Sequence, residues 1–170
     1  MSTMEILMAL IKNEAIVALK KNFDKFNCVL YELNSDYKFT IKNVPQDTIV
    51  IKADKFPAPL AIFKGSKMEC KRADFVIITE IPTKQIFYIE LKRSKSPTSS
   101  EEMNAQLKGA KCVMEYCKAI GKEFWKVQDF LEGYETKYVK FFAQTLGKRP
   151  TRQKMGKSSL HTYTRDSNNY

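Results

Sequence analysis

Apolar residues along the chain change period several times, and each period predicts an element. Leu7, Leu10, Ile11, Val17 and Ala18 recur at helical spacing, which predicts an amphipathic helix over residues 4–22 with Ser2 or Thr3 as its cap. Glu14 falls on the same stripe, either at its edge and reaching water or held on the buried side. Runs rich in β-branched and aromatic residues follow. Residues 28–33 and 37–42 predict a hairpin around Asn34-Ser35-Asp36, and residues 48–52 a further strand. Pro57, Pro59 and Gly65 break regular structure in residues 56–67. The two most apolar runs, residues 73–80 and 85–92, flank Ile81-Pro82-Thr83-Lys84 and predict a second hairpin. Ser99 or Ser100 then caps a helix that places Met103, Leu107, Ala110, Val113, Met114 and Cys117 inward and runs to about Ile120, with Gly121 as its stop. Residues 122–134 read as a short helix or irregular cover, and residues 138–146 as a final strand. Helix, strands, helix, strand is the order of a mixed α/β or α+β sheet with a helix on each face.

Length and charge refine this picture. A chain of 170 residues fits one domain, residues 1–146, with a basic tail over residues 147–170. The formal net charge of +10 and pI near 9.4 favour polyanionic partners, nucleic acid first and an anionic membrane surface second. Half of that surplus sits in the tail, where Lys148, Arg149, Arg152, Lys154, Lys157 and Arg165 face only Asp166. The tail alone is equally well read as a solubilising appendage. Cys28, Cys70, Cys112 and Cys117 form no C-x-x-C pair, and the single histidine, His161, lies in the tail. That pattern argues against zinc and for reduced thiols in a cytoplasmic protein. No apolar run approaches the ~18 residues of a membrane span, and the first residues lack the basic start of a secretory signal, so no membrane partner is expected.

The chemistry concentrates in the second hairpin. Side chains alternate across a strand, so Glu90 and Lys92 share one face while Ile89 and Leu91 take the other. A turn centred near Pro82 or Thr83 sets Asp74 opposite Glu90, Leu91 or Lys92. Two carboxylates and an amine then meet at one end of the sheet. Adjacent carboxylates resist joint ionisation, and a hard divalent cation relieves them. Mg²⁺ held there would polarise a phosphate and lower the pKa of a bound water, with Lys92 holding that water or pairing with the phosphate. The competing reading is an exposed strand-end ion pair with Asp74 capping a turn. Lys64, Lys67, Lys71 and Arg72, just before the hairpin, are candidates for phosphate contacts, as are Lys148, Arg149 and Arg152. Phe124 and Trp125, beside Lys122 and Lys126, read as core cover before base-stacking groups.

Asp74 followed by "IELK" at residues 89–92 resembles the PD-(D/E)XK nuclease superfamily, whose core runs αβββαβ. Element order is similar over residues 4–146, and specific matches cover residues 71–110. The resemblance implies a restriction-endonuclease-like fold: a mixed central sheet flanked by helices. It implies Asp74 and Glu90 as ligands of Mg²⁺, with Mn²⁺ as a substitute, Lys92 as the (D/E)XK lysine and Gln106 as a supporting residue. Glu14 corresponds to the first-helix acid that some branches add as a metal ligand. Ala73 stands where the nominal proline would be, and Ala110 breaks the glutamine-x-x-x-tyrosine pattern of some branches.

The expected activity is hydrolysis of phosphodiester bonds, in DNA before RNA, with endonuclease action and a possible homodimer. Two other classes stand beside it: a nucleic-acid-binding or interaction protein that keeps the fold without cleaving, and a peripheral membrane protein held by its tail.

Overall fold

The computed structural model describes residues 1–31, 38–93 and 99–143. The basic tail, with Lys148, Arg149 and Arg152, lies outside the described residues.

The central sheet has the order β4-β5-β6-β7, from Ile49–Lys52, Phe75–Thr79, Gln85–Arg93 and Glu135–Ala143. The first three strands form an antiparallel meander, and β7 runs parallel to β6. The parallel return needs a crossover, which helix α2 (Ser100–Phe124) supplies. Strand β5 is buried at every position, as expected of a strand covered on both faces.

The two covers differ in kind. Val76, Ile78, Ile86 and Tyr88 join Leu107, Ala110 and Met114 of α2, with Ile6 and Leu7 of α1 (Thr3–Leu10), in one core. Phe75, Ile77, Ile89 and Leu91 on the other face pack against Cys28, Leu30 and Val44. Those last residues belong to a separate antiparallel sheet, β1-β2-β3, made of Lys20–Asn22, Lys25–Tyr31 and Lys38–Val44. Both helices therefore lie on one face, and a second sheet replaces the helix expected on the other. Each large apolar side chain buried in these layers contributes roughly 1.5–3 kcal/mol before entropy is counted.

The first helix is shorter than its periodicity predicts. Ser2 accepts a hydrogen bond from the Glu5 amide and Glu5 reciprocates at the Ser2 amide, a capping box that starts α1 as expected. The helix ends at Leu10, because Ile16 and Val17 pair instead with the edge of β4: Ile16 bridges Ile51, and the Val17 amide donates to the Val50 carbonyl at 2.8 Å. At α2, Ser99 caps the start by accepting from the Glu102 amide at 3.0 Å. Gly121 does not stop this helix, which runs on to Phe124. A Cβ there would lie 2.1 Å from the Phe130 ring, so glycine at this position admits the fully buried Phe130. All four cysteines are free thiols, and Cys117 packs in the core.

Candidate functional site

The antiparallel register Phe75↔Ile89 carries one step beyond β5, so position 74 faces position 90. The Asp74 amide donates to the Ile89 carbonyl at 3.1 Å, and Asp74 Oδ2 accepts from the Leu91 amide at 2.6 Å. These two bonds continue the ladder past its last regular pair and orient the carboxylate beside Glu90.

Even-numbered residues of β5 and β6 point toward the helices, and Glu90 and Lys92 follow that parity. Glu90 is 0% exposed, and Lys92 Nζ stands 2.7 Å from its Oε1, with the lysine side chain 17% exposed. Neither Glu90 oxygen receives a well-directed hydrogen bond. Burial pushes the Glu90 carboxyl up to about 7, and the charge of Asp74 adds to that rise; the Lys92 ammonium and the Asp74 amide pull the other way. A carboxylic acid with a mid-range pKa, opposed by a second carboxylate and paired with an amine, is an uncommon thing to bury.

The first two turns of α2 close over this strand end. Glu102 is half-buried and accepts from Lys71 Nζ at 2.7 Å. Its carboxyl is held below the usual range by Lys71 first, with the charge of Lys92 contributing. A Cβ at Gly109 would lie 1.9 Å from the Lys71 carbonyl, so the segment before β5 crosses directly against the helix. Gln106 falls between Glu102 and Gly109 on that flank, and its Oε1 is buried with no donor. On the other flank Lys140 of β7, in register with Glu90, donates to Asn104 Oδ1 at 2.9 Å. Asp74, Glu90 and Lys140 thus occupy one row across β5, β6 and β7.

The remaining sequence candidates sort differently. Glu14 is exposed in a short 3₁₀ turn, Asn13–Ala15, because α1 ends before it and no buried stripe reaches that position. Among the described residues, no three Asp, Glu, His or Cys side chains converge as metal ligands, so Glu14 does not join the two carboxylates in a ligand trio. Lys64 and Lys67 are exposed, and Lys71 is exposed but engaged with Glu102. Arg72 is half-buried, with Nε enclosed and Nη1 donating to the Lys71 carbonyl at 2.6 Å, so it braces the helix crossing. Trp125 packs against the core, whereas Phe124 is exposed.

Glu102 and Lys140 were not singled out from sequence. Glu102 is one of two acids in the first turn of α2, a common pattern at a helix start, and its approach to Lys92 comes from how α2 packs on the sheet. Lys140 needed the parallel register of β7, which no local pattern encodes.

A cavity of about 120 Å³ lined by Tyr88, Met114, Leu131 and Tyr134 opens elsewhere, toward the beginning of β6, and contains none of these groups. No family model, curated protein or solved structure matches the chain.

The donor set fits a hard cation. Mg²⁺ takes one or two carboxylates and fills its other positions with waters and phosphate oxygens. Glu90 offers buried oxygens, one of them 2.7 Å from Lys92 Nζ, Asp74 stands opposite with Oδ2 held by the Leu91 amide, and the buried acceptor of Gln106 has no donor.

Proposed function

We propose that this protein is a metal-dependent nuclease of the PD-(D/E)XK type that hydrolyses phosphodiester bonds in DNA. The observation that carries the reading is the fully buried Glu90, opposite Asp74 and paired with Lys92 Nζ at 2.7 Å. With β1, β2 and β3 of the second sheet set aside as an insertion after α1, the remaining order α1, β4, β5, β6, α2, β7, with the last strand parallel to its neighbour, supports the αβββαβ likeness.

Asp74 and Glu90 would hold Mg²⁺, which when bound neutralises charge on the phosphate and acidifies a coordinated water. Asp74 keeps its carboxylate aimed through the Leu91 amide. Lys92 holds the attacking water and faces the scissile phosphate, and its tie to Glu90 limits the rotamers from which it does so. Gln106, on the helix above, orients the same water or the Glu90 carboxyl. Lys140 and Lys71 add positive charge on either side of the row, where a nucleic-acid backbone would pass.

The test is cleavage of plasmid and single-stranded DNA with Mg²⁺ or Mn²⁺ by the wild type, Glu90→Gln and Lys92→Ala. Cleavage by the wild type and its loss in both variants is the expected result. Equal cleavage by all three rejects the site, and DNA binding with no cleavage by any of them favours the non-cleaving module.

A further inference from the structure

The connection from β4 to β5, residues 53–73, starts and finishes beside the carboxylates: the Ala53 amide donates to the Asp74 carbonyl at 2.8 Å. Between those points the loop is built from its own hydrogen bonds. The Ile62 and Phe63 amides both donate to the Pro59 carbonyl, and the Glu69 carboxylate accepts from the Gly65 and Lys67 amides at 3.0 and 2.8 Å. Cys70 is buried beneath it, 3.9 Å from the Phe63 carbonyl.

This ordered loop holds its largest apolar side chains in water. Leu60 is 67% exposed, Ile62 79% and Phe63 53%. Exposed apolar clusters of this kind mark contact sites. The surroundings carry more positive than negative charge, with Lys55, Lys64 and Lys67 exposed against exposed Asp54, and Glu69 turned into the loop's own amides. Across the site, Phe142 of β7 registers with Lys92 and is also exposed. Exposed apolar groups thus lie on the loop that leads into Asp74, among lysines, and on β7 beside Lys92.

We propose that residues 60–63 form a wedge that takes unstacked nucleobases, so that the substrate is branched or frayed DNA in preference to continuous duplex. Apolar side chains inserted at a base step unstack it, and bases already unpaired spare that cost. The lysines select a polyanion, and Phe142 offers a ring for a displaced base. This inference rests on the nuclease reading for its location and is tested by binding alone.

The experiment is fluorescence anisotropy in EDTA with a forked oligonucleotide carrying 2-aminopurine at the branch, against a fully paired duplex of equal length. The wild type is expected to prefer the fork by roughly fivefold or more, the effect of a single stacked base, and to brighten the 2-aminopurine. Ile62→Ser/Phe63→Ser is expected to lose the preference and the brightening while binding duplex as before; Lys64→Ala/Lys67→Ala is expected to weaken both substrates alike. Equal binding of fork and duplex by the wild type overturns the proposal, as does a preference that survives in Ile62→Ser/Phe63→Ser. Sedimentation showing that the double variant dissolves a dimer, or loss of binding to phosphatidylserine vesicles with fork binding intact, overturns it in favour of a different occupant. Fork binding is read without metal, so a failure of cleavage leaves this outcome distinguishable.

Discussion

The proposed chemistry centres on one buried side chain, Glu90. Its carboxyl titrates near 7, against about 4.5 in the unfolded chain. Below pH 4.5 the group is protonated in both states and makes no difference. Between about 4.5 and 7 the unfolded chain ionises while the native one resists, so native stability falls as pH rises and levels off above 7. In EDTA, Glu90→Gln is therefore expected to stabilise the protein by up to about 3 kcal/mol at pH 8 and by almost nothing at pH 4.5, measured from urea midpoints. A variant that is destabilised at pH 8 and unchanged at pH 4.5 would show that Glu90 is tied into the fold as an ordinary ion pair. Lys92→Ala is expected to lower cleavage by roughly 10²–10⁴ and leave DNA affinity within a few-fold, the mark of a group that acts on the reacting water. That Asp74 meets one of positions 90, 91 and 92, and that Glu90 and Lys92 share a face, was legible in the sequence from the turn and strand alternation; the register that selects position 90 came from the structure. The burial of Glu90 was not, because it depends on α2 folding back over the strand.

Elements set these residues in place, and their limits come from tertiary partners more than from local preference. Residues 4–22 carry a helical stripe, yet β4 has an open edge that Ile16 and Val17 satisfy better as extended chain. That competition is invisible in a window of sequence, and it moved Glu14 out to solvent. Gly121 is similar: its place at the end of a periodic run reads as a stop, whereas its use is to let Phe130 touch the helix backbone. Gly121→Ala is expected to cost about 1–3 kcal/mol in thermal or urea unfolding, because the Phe130 ring has no room to yield. Gly109→Ala drives against the Lys71 carbonyl, a backbone atom, and is expected to lift residues 68–72 from α2. Cleavage should then fall along with stability; unchanged activity in a destabilised Gly109→Ala would separate that crossing from the site.

Over the whole molecule, one layer of helices and a second sheet enclose a four-stranded sheet, and the carboxylate row sits at one end of it. Among the described residues no helix is long and apolar enough to cross a membrane. The excess of positive charge suits a polyanion, and its tail share can be weighed separately. Replacing Lys148, Arg149 and Arg152 together by alanine is expected to flatten the slope of log affinity against log salt by up to about 3, at about 0.9 per lost phosphate contact. A slope that does not change would mean the tail makes no backbone contacts. Composition made the sign of the charge plain, whereas the second sheet was hidden because its strands look like any others until their partners are known. The claim on which the rest turns is that the Asp74 and Glu90 carboxylates share a divalent cation. Diffraction from crystals soaked in Mn²⁺ tests it most directly. One anomalous peak at coordination distance from both carboxylates, lost in Glu90→Gln, is the expected result; a saturating soak that leaves this position empty, or a peak that Glu90→Gln retains, contradicts it.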